Sequence, residues 1–63
     1  MPEVTPETIQ KITHNLKNFG YGDLTEDFVR ERVSLLMDGE KPTEIIGMMA
    51  KTMLEEAGLL EDS

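Results

Sequence analysis

Glycine and proline punctuation constrains these 63 residues more than any other feature of the chain. Thr5, Pro6 and Glu7 combine an N-capping hydroxyl, a proline suited to the first helical position and a carboxylate near the positive end of a helix dipole. Ile9, Ile12, Leu16 and Phe19 follow as one stripe at helical period, and Gly20 supplies a left-handed C-terminal cap. These signals predict a first helix over 6–19. The segment GYGD is turn chemistry. Thr25 then makes a second start, with Glu26 and Asp27 in the first turn and Leu24 placed to staple against Val29. Gly39 ends that helix, predicted over 25–38. Pro42 cannot sit inside a helix but can open one, and Thr43 reads as the N-cap of a third helix over 43–57. Gly58 closes it, with Leu59 positioned for the apolar contact of a C-terminal capping motif and a short acidic tail over 59–63.

No alternating polar and apolar run long enough for a strand survives this division, and the connections are as short as those of compact bundles. The expected fold is all-α: residues 1–63 form a single compact three-helix bundle or orthogonal three-helix domain, without internal repeats or low-complexity stretches. The expected core is Ile9, Ile12, Leu16, Phe19, Val29, Val33, Leu36, Ile46, Met49 and Met53. A domain this small buries only about 60% of its unfolded surface and needs further support. With no Cys there is no disulfide, and the single His cannot build a zinc cluster. Helix packing or self-association must supply the stability.

Thirteen acidic residues against six basic ones give a formal charge of −7. A field of that sign repels phosphate, so neither nucleic acid nor an anionic membrane surface is an expected partner. The longest apolar run, Ile45 to Ala50, contains a Gly and falls far short of the roughly 20 residues of a bilayer span. The opening MPEVTPET has neither the basic nor the apolar region of a secretory signal, and a cytoplasmic location is expected.

Catalysis requires an activated nucleophile, carboxylates with separated environments, or a metal or cofactor cradle. His14 is the only imidazole and lies off the apolar stripe, where a solvated role is expected. Ser34 and Ser63 lack an elbow motif. The acidic pairs Glu26/Asp27, Glu55/Glu56 and Glu61/Asp62 occupy helix ends or polar faces. Asp38, Glu40 and Glu44 fail the calcium-loop pattern, and GYG has no preceding strand or lysine to make a phosphate loop. The chain is expected not to be an enzyme, with no catalytic, cofactor-binding or metal-ligating residues and no small-molecule substrate evident.

At 100° per residue the second helix carries a main stripe of Val29, Val33, Leu36 and Met37, with Phe28 and Leu35 together well off its centre. The third carries Ile46, Met49, Ala50, Met53 and Ala57, with Ile45 and Met48 displaced. Each helix of a bundle touches both others, and a wide apolar arc then serves the core alone. Alternatively, Phe28, Leu35, Ile45 and Met48 form a surface patch that meets a partner protein, a second copy being one candidate. Met37, Met48, Met49 and Met53 suit either role, as gap-fillers or as adaptable contacts. Gly47, inside a helix, implies close backbone approach by another segment.

The stretch RERVSLLMDGEKPTEIIG, from Arg30 to Gly47, resembles the opening two helices of a LuxR-type helix-turn-helix, which implies a DNA-binding regulator. That family requires a further turn and a basic recognition helix. Here the chain continues as MMAKTMLEEAG, with Glu55 and Glu56 where cations are wanted. The order of a first helix ending in FGYG, a second helix and a Leu-ending third also resembles ubiquitin-associated domains, whose corresponding loop binds partners. Three function classes follow: a small acidic protein-interaction module, adaptor or regulator; a helix-turn-helix regulator; and an acidic inhibitor occupying a basic site of a nucleic-acid-binding protein. The first is preferred on charge.

Overall fold

The computed structural model describes residues 3–61 and contains three helices: α1 over Pro6–Asn18, α2 over Glu26–Met37 and α3 over Ile45–Glu56. Each packs against both others, as a three-helix bundle requires, and the described residues include no strand. No helix among them is long and apolar enough to cross a membrane.

Local chemistry sets most of the helix ends. The Thr5 hydroxyl accepts a hydrogen bond from the Thr8 amide at 3.3 Å, and the Thr25 hydroxyl accepts one from the Phe28 amide at 3.2 Å. Both satisfy amides that a first turn leaves without partners. Leu24, just ahead of the second cap, is half-buried and packs against the core that contains Val29. All three C-termini close by one motif. The amides of Tyr21, Glu40 and Leu59 donate to the carbonyls of Leu16, Leu35 and Leu54, each wrapping the chain around a glycine with positive φ. Those glycines are Gly20, Gly39 and Gly58, the three expected stops.

The third N-terminus differs from expectation. Helix α3 starts at Ile45 with extended Glu44 as its N-cap, and no side chain caps it. Thr43 does not serve. Pro42 packs against Gly47, where an added Cβ would lie 3.2 Å from the proline Cβ, and the Glu44 carboxylate reaches across to Arg32. Glu44 is held extended between these two contacts, so the helix begins at Ile45, two residues later than predicted. The close approach implied by Gly47 thus comes from the chain's own α2–α3 loop.

The core consists of Ile9, Ile12, Leu16, Val29, Val33, Leu36, Ala50 and Leu54. Thr13 is buried with them, and its hydroxyl donates to the Ile9 carbonyl at 2.7 Å, which removes the penalty of burying it. Four expected core positions are corrected. Phe19 is 69% exposed, because the closing motif at the end of α1 folds Tyr21, not Phe19, back over Leu16. Ile46, Met49 and Met53 are only half-buried. The innermost line of α3 is Gly47, Ala50 and Leu54, rotated from the expected stripe. Small side chains at 47 and 50 allow neighbouring backbone to approach, and the longer side chains flank the seam. The expected acidic tail is also corrected: Leu59 and Leu60 pack against the core, and Asp62 and Ser63 lie outside the described residues.

Candidate interaction surface

Helix α2 presents Phe28, Arg32 and Leu35 along one edge, since residues four and three apart lie on the same side of a helix. Arg32 determines what this edge offers. Its guanidinium lies 4.3 Å from the centroid of the Phe28 ring, a cation–π contact, and its Nε donates to the Glu44 carboxylate. A weaker contact joins it to Glu31 at 3.4 Å. The Glu44 hydrogen bond raises the Arg32 pKa above its ordinary value, partial burial opposes the shift, and the guanidinium stays charged throughout the working pH range.

The four residues expected at an interface are placed unequally. Leu35, Ile45 and Met48 are exposed, at 43%, 63% and 53%. Phe28 is half-buried beneath Arg32. It lines a cleft of about 530 Å³ with Tyr21, Leu24 and Ile46, between the α1–α2 loop and the start of α3. Leu35 lines a different cleft, of about 210 Å³, together with Pro42, Gly47 and Glu40. The expected patch is therefore divided by the Arg32–Glu44 bridge, with Phe28 on its sheltered side.

Charge is divided as well. Residues 3–20 carry two carboxylates and two cations, whereas residues 21–61 carry ten carboxylates and only four cations. The excess negative charge thus belongs to the α1–α2 loop, α2, α3 and the segments that follow them, the part of the chain that also exposes Leu35, Ile45 and Met48. Two of its four cations are engaged, Arg30 with Asp27 at 2.6 Å and Arg32 with Glu44. Dividing the net charge by segment would have disclosed this asymmetry from the chain alone. Helical periodicity did not, because it registers apolar positions and is indifferent to the sign of polar ones.

His14 is exposed on α1, where its Nε2 lies 3.2 Å from Asn18 Nδ2. The shallow depression beside it is lined by Glu7, Gln10, Lys11 and Asn15, all on α1. Among the described residues no group of three or more His, Cys, Asp or Glu side chains is placed to hold a metal ion. Comparison with family models, with characterised proteins and with solved structures returns no match to this chain, so its surface chemistry carries the functional reading.

Proposed function

We propose that the chain is a non-enzymatic, cytoplasmic protein-interaction module whose contact surface is the exposed α2–α3 face. The observation that carries this reading is the exposure of Leu35, Ile45 and Met48 beside a core already closed by eight buried apolar residues. Large apolar side chains left in water once the core is complete contribute little hydrophobic stabilisation to the monomer, and burial against a partner would supply it. Clusters of them on small domains mark contact surfaces. A helix-turn-helix regulator ranks lower, because α3 ends in Glu55 and Glu56 and residues 21–61 carry ten carboxylates against four cations, a balance that repels phosphate.

The test compares wild type with Leu35→Ser/Met48→Ser as bait for partner capture, alongside sedimentation and circular dichroism of both. Exposed substitutions change stability by under about 0.5 kcal/mol each, so the variant is expected to stay folded while losing the captured partner. A folded variant that retains every wild-type partner would overturn the assignment. Micromolar binding of wild type to random-sequence duplex DNA at about 50 mM salt would favour the helix-turn-helix reading instead.

A further inference from the structure

We infer that Arg32 and Glu44 form a strap over Phe28 that opens when the Arg32 side chain swings away, uncovering the ring and joining two clefts. The inference concerns the free chain and stands apart from the interaction reading above. Three observations converge on it. The Arg32 guanidinium lies 4.3 Å from the centroid of the Phe28 ring, so a long, rotatable side chain covers one face of that ring. Among the described residues the pairs Arg30–Asp27 and Arg32–Glu31 stay within α2, and Arg32–Glu44 alone ties α2 to the start of α3. Arg32 and Glu44 line the cleft of about 210 Å³ at Leu35, Pro42 and Gly47, whereas Phe28 lines the cleft of about 530 Å³ at Tyr21, Leu24 and Ile46. The strap therefore stands on the boundary between the two.

Glu44 gives the strap its second position. It is the N-cap residue of α3, yet its carboxylate goes to Arg32 and no side chain accepts from the first amides of that helix. A carboxylate at a helix N-terminus is favourably placed toward those amides and the helix dipole. Glu44 thus has two competing partners, Arg32 in the closed form and the α3 amides in the open one. The closed form is held by little, since the Arg32 and Glu44 side chains are 27% and 39% exposed. At partly exposed sites an ion pair and a cation–π contact each favour one arrangement by up to about fivefold, so the open form is a populated minor state. Val29, Val33 and Leu36 stay buried in both forms, and opening moves side chains without unfolding α2.

The probe is the neutral nitroxide TEMPOL, which broadens proton signals according to their exposure and reads the chain's two phenylalanines separately. Phe19, 69% exposed, is the internal reference. In wild type the Phe28 ring is expected to be broadened far less than Phe19, and the Arg32 side-chain protons to resonate upfield because they lie over the ring. Glu44→Ser removes the bridge and supplies a hydroxyl that caps α3, so circular dichroism and melting are expected to be retained. The same variant is expected to raise Phe28 broadening about twofold or more, reduce the Arg32 upfield shift and leave Phe19 unchanged. Arg32→Ser should raise Phe28 broadening further, and Asp27→Asn, which breaks a pair within α2 only, should leave it at the wild-type level. Wild-type Phe28 broadened as much as Phe19, no change at Phe28 and Arg32 in Glu44→Ser, or an equal rise in Asp27→Asn would overturn the inference. Should Glu44→Ser fail to fold, Glu44→Gln keeps the side chain's length without its charge, and Phe28 and Arg32 signals unchanged from wild type there overturn it as well.

Discussion

Leu54 and Phe19 form the sharpest pair for testing how this bundle is held together. Leu54 is completely buried at the end of the α3 seam, while Phe19, the larger side chain, is 69% exposed at the end of α1. Leu54→Ala removes buried carbons and leaves a cavity, at a cost of about 3–5 kcal/mol. At about 0.05–0.15 kcal/mol per residue the whole domain holds about 3–9 kcal/mol, so this one substitution consumes a large part of the margin or all of it. Phe19 keeps about a third of its ~200 Å² covered, which at about 25 cal/mol per Å² limits Phe19→Ala to about 1.5 kcal/mol. Thermal and urea unfolding followed by circular dichroism separates the two. At about 4–8 °C per kcal/mol the Leu54 variant should melt at least about 12 °C below wild type, and the Phe19 variant less than about 12 °C below it. Leu54→Met, which conserves volume, should cost under about 1.5 kcal/mol and retain a folded baseline. A Phe19→Ala loss equal to that of Leu54→Ala would refute the packing described here and restore Phe19 to the core.

Other expectations follow from the caps and loops. Thr25→Ala should lose about 1 kcal/mol by chemical denaturation, because its hydroxyl caps α2, whereas Thr43→Ala should be nearly silent because Thr43 caps nothing. Gly47→Ala sets a gain of about 1 kcal/mol in helix propensity against a 3.2 Å approach to Pro42, so a net change smaller than 1 kcal/mol is expected from the same assay. Gly47→Val should cost about 2 kcal/mol or more, since the branched side chain displaces Pro42. Gly39→Ala, at φ +93°, should lose about 1 kcal/mol or more in melting experiments, while Gly22→Ala, with no positive φ and open space around it, should change stability by under about 0.5 kcal/mol.

What the residues determine locally was legible in the chain. Thr5 and Thr25 accept the amides of Thr8 and Phe28 because a hydroxyl at that position meets the first turn whatever lies beyond it. Gly20, Gly39 and Gly58 stop their helices because positive φ is open to glycine, and those two sets of signals were enough to give the all-α three-helix fold. Leu35, Ile45 and Met48 were legible as apolar positions off the main stripes, open to either a core or a surface role, and the packed bundle leaves them exposed. Tertiary structure alone decided the rest. Pro42 against Gly47 and Glu44 against Arg32 fix the end of the α2–α3 loop, with Glu44 extended, and displace the start of α3 from Thr43 to Ile45. The side of α3 that is buried, with Gly47, Ala50 and Leu54 inside and Met49 and Met53 half-covered, is set by packing against the other two helices, and a helical wheel contains no neighbour. Phe28 reads as an interface residue on that wheel, yet Arg32 covers its ring, because the arginine is held there by a carboxylate twelve residues away in sequence. Periodicity records which side of one helix is apolar; only the packed bundle decides what lies against it.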